Sequence, residues 1–319
     1  MKLSVTIGGW ETEENSFAYN KSCGWDAVDY PLGGDFGAGR PLADATEEQI
    51  KERYTYLKGL ADAAGLEIGQ THSAFGGHFN PKDHPDDLNH NFDFVVDQQI
   101  KCIMATHYLG CKYCVIHPPI LSGRKYDLKV KENFDFTIEF YSKLIPALEK
   151  YDVYCCTENM FAGDWEHGHY CSTICSHAEE MVAICDALGD RFKICLDTGH
   201  AAVIGEDAAK MARICGDKLA VLHCHDNDGI YDLHTYPFSA QGSRHNFKPV
   251  RVDWTAFMQA LEDIGYQGNL NFEIGYIGPK ALHRAGFEYL AAIGRYLVSI
   301  RENYAKQKEE AADETVGIE

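Results

Sequence analysis

Short apolar runs alternate along the chain with longer stretches whose apolar positions recur at helical spacing. The short runs predict strands over residues 3–7, 27–30, 68–72, 113–117, 153–158, 192–197, 220–225 and 270–274. The longer stretches predict helices over 46–64, 92–109, 129–150, 178–188, 207–215, 254–264 and 286–304, with a less regular one between Glu11 and Trp25. Strands that alternate with helices of this length make βαβ units, and the returning helix forces the strands to lie parallel. Eight such units predict a single-domain α/β fold, a closed (β/α)8 barrel with long loops after its strands; an open doubly wound sheet is the runner-up. The barrel is expected to occupy residues 1–305, and 306–319 reads as a polar, acidic tail.

Polar residues interrupt this pattern in a regular way. Each of the last six predicted strands closes on a carboxylate or an imidazole: His72, His117, Glu158, Asp197, His225 and Glu273. In a barrel those strand ends carry the loops that build the active site. Strand parity agrees, since Asn269, Asn271 and Glu273 share one face, as do Val221, His223 and His225. Taken singly, each is a satisfied buried group, and Asp197 could cap the next helix. Together, carboxylates converging on one mouth repel one another unless a cation lies between them. Mixed carboxylate and imidazole donors suit Mn²⁺, Co²⁺ or Zn²⁺. Two long loops, 159–176 and 226–252, follow strands and so fall on the same rim.

Charge and cysteine content narrow the class. With 29 Lys+Arg against 48 Asp+Glu, the net charge of −19 disfavours nucleic acid or an anionic membrane as partner. The opening MKLSVTIGGW is too short for a signal segment, and no apolar run approaches a membrane span, so a soluble, cytoplasmic protein is expected. Twelve cysteines in such a chain read as reduced, buried thiols, and Cys111-x-x-Cys114 stands without a second pair. The cluster Gly33, Gly34, Gly37, Gly39 lacks the strand–turn–helix spacing of a dinucleotide fingerprint and reads as a loop.

The segments THSAF (71–75), VIHPP (115–119), TEN (157–159), LDTGH (196–200), HCHDND (223–228), DLH (232–234) and FEIG (272–275) resemble the xylose-isomerase-like TIM-barrel superfamily. That superfamily includes sugar isomerases and epimerases, inosose dehydratases and endonuclease IV-type enzymes. The resemblance implies a divalent metal, manganese foremost with Co²⁺, Mg²⁺ or Zn²⁺ as alternatives, held by Glu158, Asp197, His225 and Glu273. It makes Glu158 and Glu273 the acid/base pair for proton transfer beside a sugar carbonyl through an enediolate. His72, His117, His200, Asp232 and His234 are then substrate-side residues, His200 touching a substrate oxygen. A small sugar or sugar derivative is the expected partner, and the chain is expected to form a homo-oligomer.

Three alternatives follow from the same residues. The site could run an elimination, as an inosose-type dehydratase or as a lyase that cleaves 3-keto C-glycosides with a small second subunit. It could be an endonuclease IV-like phosphoesterase, since all nine ligand types are present, although the acidic charge opposes that. A scaffold relic without metal is the third. The chain departs from the ketose 3-epimerases, which place an arginine shortly after the strand-seven histidine; here stand Asp228, Gly229, Ile230 and Tyr231. The loop 235–252, with Arg244, His245 and Lys248, is also longer. Trp10, Phe36, Phe161, Trp165 and Tyr236 are candidates either for stacking on a sugar or aglycone or for plain loop packing.

Overall fold

Apolar and polar positions sort in space as they sort in sequence. The computed structural model describes residues 1–7, 12–74, 86–121, 130–164, 168–239, 252–275 and 280–316. In chain order come β1 (Leu3–Thr6), α1 (Glu13–Ser22), β2 (Ala27–Pro31), α2 (Glu47–Ala64), β3 (Glu67–His72), α3 (Phe92–Tyr108) and β4 (Tyr113–Ile116). Next are α4 (Val130–Ser142), α5 (Ile145–Tyr151), β5 (Tyr154–Glu158), β6 (Phe161–Asp164), β7 (His169–Ser172), α6 (Ala178–Leu188) and β8 (Phe192–Asp197). The chain continues through α7 (Thr198–Val203), α8 (Ala208–Cys215), β9 (Leu219–His223), α9 (Trp254–Asp263), β10 (Leu270–Phe272) and α10 (His283–Val316).

Eight parallel strands run in the order β10-β1-β2-β3-β4-β5-β8-β9. The two ends of that order meet, because Cys224 N–H donates to the Asn271 carbonyl at 2.8 Å beside a parallel bridge from Cys224 to Phe272. The sheet is therefore a closed barrel, and the doubly wound alternative, which would leave two edges, does not hold. Outward residues such as Leu3, Val28, Ile116, Leu196, Leu222 and Phe272 merge with the helices into one continuous core. Inside the barrel, Val115, Cys156, Cys195 and Val221 form a separate small layer. Above that plug the inward positions turn polar.

Local rules account for most elements. Thr46 and Gln49 form a capping box at the start of α2, and Gly65 ends it at φ 63°. The stretch expected as one helix over 129–150 is two, since Pro146 sits in the first turn of α5. Its missing N–H and its ring are incompatible with an unbroken helix back to Ser142. Between β2 and β3 the register passes from Val28↔Ile68 to Asp29↔Gln70, which leaves Gly69 as an extra residue. A Cβ there would overlap the Asn269 amide, so a larger residue would have to displace that side chain.

Other departures are local. Within the long loop after β5, β6 and β7 pair as an antiparallel hairpin. The segment from Lys306, expected as a tail, continues α10 as helix to Val316 and ties to α9, Lys308 Nζ lying 3.0 Å from Asp263. All twelve cysteines are free thiols, and all but Cys171 are buried. Burial pushes Cys111 and Cys114 up to about 12 and about 11, which makes that pair inert at neutral pH. Among the described residues no helix is long and apolar enough to cross a membrane.

Candidate metal and active site

The polar strand ends meet in one mouth. His72 and Glu158 close β3 and β5, Asp197 closes β8, and His223 closes β9 with His225 two residues on. His117 follows β4 and Glu273 follows β10, while Asp232 and His234 come from the loop after β9. Strand period two points each strand-borne group inward.

Glu158 is fully buried. Its Oε1 accepts a hydrogen bond from His223 Nδ1 at 2.8 Å. Its Oε2 faces His117 Nε2 at 3.0 Å and His72 Nε2 at 3.5 Å, yet has no aligned hydrogen bond among the described residues. Asp197 does two jobs. Its Oδ1 caps α7 by accepting the His200 N–H at 2.6 Å, and its Oδ2 lies 3.1 Å from His225 Nε2. Asn159 pins the Asp197 backbone from both sides, accepting its N–H at 2.7 Å and donating to its carbonyl at 2.9 Å. Thr198 Oγ1 donates to the His225 carbonyl at 2.7 Å, and Gly199 leaves room for the His225 ring where a Cβ would collide.

Four imidazoles share one arrangement. His72, His200, His225 and His234 each turn Nδ1 to a backbone carbonyl, of Ser73, Asn159, Asp226 and Glu273, at 3.0, 2.8, 3.4 and 2.7 Å. A carbonyl only accepts, so Nδ1 carries the proton and Nε2 is left facing the mouth. There Nε2 of His72 meets Glu158 and that of His225 meets Asp197, while Nε2 of His200 and His234 lie 3.5 and 3.0 Å from Asp232 Oδ2. Acceptors facing acceptors require a proton or a cation between them. Imidazoles anchored through one nitrogen and aimed with the other are how metal-binding histidines are commonly held.

Ionisation follows the same geometry. Burial works to raise the Glu158 carboxyl, but the His223 and His117 rings hold it well below the usual range. Asp197 is likewise lowered against burial by His200 and His225, and Asp232 falls far lower through His200 and His234. On the imidazole side burial works downward, yet Glu158 raises His72, the Asp197 and Asp232 carboxylates raise His200 well above its ordinary value, and Asp232 lifts His234 to about 9. His117 is the exception, lowered by burial.

Of five groups of donor atoms that fall within 4.8 Å of one another among the described residues, three span the site: His72, His117 and Glu158; Glu158, Asp197, His223 and Glu273; and His200, His225, Asp232 and His234. The other two, His72, His223 and Glu273, and Glu158, Cys195 and His223, overlap them. Three of the four ligands expected from sequence thus share one group. His225 sits in the neighbouring one, joined to the first through Asp197. The donor chemistry fits a divalent ion, and buried Glu158 Oε2 and Asp232 Oδ1 lack hydrogen bonds that an ion would replace. The sequence places His223 on the inward face with His225 but assigns it no role; it lies 2.8 Å from Glu158 and 3.3 Å from Glu273. Its signal was the H-x-H alternation of the seventh barrel strand, which makes two inward positions rather than one.

Among the aromatic candidates, Phe161 meets the His200 ring edge-on at 4.9 Å and Tyr170 at 4.4 Å, placing the β6–β7 hairpin over the mouth. Phe36 is 1% exposed and stacks on Tyr54 in the core, the packing alternative. Tyr236 meets Tyr289 of α10 at 6.0 Å. Phe75, Trp10, Trp165, Arg244, His245 and Lys248 lie outside the described residues.

The chain belongs to the xylose isomerase-like TIM-barrel family, whose model matches residues 17–293. An uncharacterized protein, y4fM, of Sinorhizobium fredii is 23% identical over 301 residues, 86% of this chain and 87% of that one. A probable endonuclease 4 of Metamycoplasma arthritidis is 30% identical over 147 residues, 44% of this chain and 49% of that protein. Among solved structures, a D-tagatose 3-epimerase-like protein superposes with a TM-score of 0.69 at 19% identity, covering 96% of this chain and 100% of its own. A 3-keto-D-glucoside 4-epimerase from E. coli superposes at 0.64 with 15% identity, covering 91% and 100%. At these identities the structures establish a shared fold.

Proposed function

We propose that the protein is a divalent-metal-dependent sugar epimerase or isomerase, with Glu158, Asp197, His225 and Glu273 as ligands and Mn²⁺ as the foremost ion. The observation that carries this is the set of four imidazoles whose Nδ1 protons are spent on backbone carbonyls while each Nε2 faces a carboxylate. The epimerase names of two proteins with the same fold support the substrate class. When bound, the ion supplies Lewis acidity that makes the proton beside a substrate carbonyl removable. Glu158 and Glu273 stand on β5 and at the end of β10, separated by four strands one way round the barrel and two the other. Their carboxylates converge on His223 Nδ1, at 2.8 and 3.3 Å, so a substrate carbon at that point would meet both. One carboxylate removes the proton to leave an enediolate, and the other returns a proton to give the epimer. His200 and His234 orient substrate oxygens, and the hairpin bearing Phe161 keeps water from the reacting carbon.

The test is incubation of the Mn²⁺-loaded protein with a panel of ketohexoses and 3-keto-glycosides in D₂O. One solvent deuteron at the reacting carbon, lost on chelation, is expected; no turnover across the panel overturns the reading. Loss of water or release of an aglycone would reassign the same residues to elimination. A second reading, phosphoester hydrolysis on several ions, is favoured by the two further donor groups and by the partial match to a probable endonuclease 4. Metal analysis separates the two: one ion per chain fits the epimerase, two or three with cleavage of abasic DNA fit the hydrolase.

A further inference from the structure

Unlike His72, His200, His225 and His234, His223 turns neither ring nitrogen to a backbone carbonyl among the described residues. Nδ1 donates to Glu158 Oε1 at 2.8 Å, with Glu273 Oε2 at 3.3 Å, and Nε2 lies 3.2 Å from Asp29 Oδ2. Its side chain is 0% exposed, and its ring stacks on His72 at 5.3 Å and 16°. Asp29 is also buried and is approached by the Gln70 amide, which lies 3.4 Å from the same Oδ2 and 3.3 Å from the Leu222 carbonyl. A buried polar chain therefore runs Gln70, Asp29, His223, Glu158 beneath the mouth, between the apolar plug and the open rim.

We infer that His223, backed by Asp29, is a positioning residue that ties down one oxygen of Glu158 and leaves the other presented to the site. The inference rests on the proposed role of Glu158 but not on the identity of the sugar. Glu158 is the last residue of β5, and its carboxylate would otherwise swing about its side-chain torsions. With Oε1 held from below, Oε2 is the atom left without a hydrogen bond and turned toward His72 and His117. Its Nδ1 faces the two glutamates and its Nε2 faces Asp29, whereas the other four turn Nδ1 to a backbone carbonyl and aim Nε2 at the mouth. Partners that orient a metal ligand are worth about 10–100-fold in metal affinity or activity.

The two nitrogens can be separated by substitution. Asparagine places its amide near the position of Nδ1, and glutamine near that of Nε2. His223→Asn therefore keeps the bond to Glu158, whereas His223→Gln and His223→Leu lose it. Mn²⁺ titration by calorimetry is expected to show His223→Asn within about threefold of wild type and the other two weakened about 10–100-fold. Asp29→Asn, which leaves the His223 ring in place, falls between. With a turned-over sugar, the loss appears in kcat with KM little changed. Crystal structures of the metal-free proteins give a readout independent of activity and of metal: Glu158 unmoved in His223→Asn and turned away in His223→Gln. Wild-type affinity in a folded His223→Leu protein with Glu158 in place overturns the inference, as does His223→Asn behaving like leucine. A Mn²⁺-loaded structure with His223 Nδ1 bonded to the ion overturns it too. If wild type binds no Mn²⁺, the proposed function fails, while the position of Glu158 in the metal-free crystals still decides this point. If the leucine variant does not fold, the glutamine and Asp29→Asn variants decide it.

Discussion

Asn159 shows how much of the site's geometry depends on a side chain outside the cluster of acids and imidazoles. It clamps both backbone groups of Asp197, and its own carbonyl receives the His200 Nδ1 proton. Asn159→Ala strands a buried N–H and a buried carbonyl, at about 1–3 kcal/mol each. It is expected to lower the melting temperature and the Mn²⁺ affinity together, read by thermal unfolding with and without metal. Gly199→Ala acts by contact: its Cβ would occupy the space of the His225 ring. Displaced by that collision, His225 should leave the metal about tenfold or more weaker, in a calorimetric titration. The pH response has a definite sign. His234 is lifted to about 9 in the metal-free fold, so its proton contributes stability fully below the ordinary value of 6.5 and loses it as pH rises through about 9. The metal-free protein should therefore melt lower at about pH 9.5 than at about pH 6.5, and His234→Asn should flatten that slope. The strand-end acids and imidazoles were legible as residues because parity and position mark them. The division of labour between His223 and His225 was not, since alternation says which way a side chain points but not how deep it sits or what it touches.

At the level of elements, the eight barrel strands and most helices were legible because each carries enough apolar residues to show its period. Two of the features that escaped show why. The stretch expected as one long helix contains Pro146, and the apolar period runs across the break without registering it. The hairpin β6–β7 is four residues a side, Phe-Ala-Gly-Asp against His-Tyr-Cys-Ser, too short and too polar to separate from loop. Its two strands pair from Phe161↔Ser172 to Asp164↔His169, and it holds Phe161 against His200. Phe161→Ala removes that wall without touching the glutamates. A rise in KM of about three- to tenfold with kcat nearly unchanged is expected, the pattern of lost uniform binding. A fall in kcat alone would move Phe161 into the chemistry.

For the molecule as a whole, a divalent ion that binds only the folded chain adds to its stability by mass action. At a free concentration about a hundred times its dissociation constant the gain is about 2.7 kcal/mol, enough to raise the melting temperature by several degrees. Scanning calorimetry before and after chelation should show that difference. Loading should also release protons, because protonated imidazoles must give theirs up to make way for the ion. The net charge of −19 places the mouth in a protein that repels polyanions, so duplex DNA should show no retardation at moderate salt. Barrel closure itself was predictable from eight βαβ units. The bulge at Gly69 was not, because one extra glycine in a strand leaves no trace in hydrophobic periodicity.

Because a main-chain carbonyl holds one ring nitrogen of each of four histidines, emptying the cradle should leave its shape intact. Stripped protein ought then to regain full occupancy within the mixing time when Mn²⁺, Co²⁺ or Zn²⁺ is returned, with no slow refolding phase. The cation found after purification would report supply rather than selection by the protein.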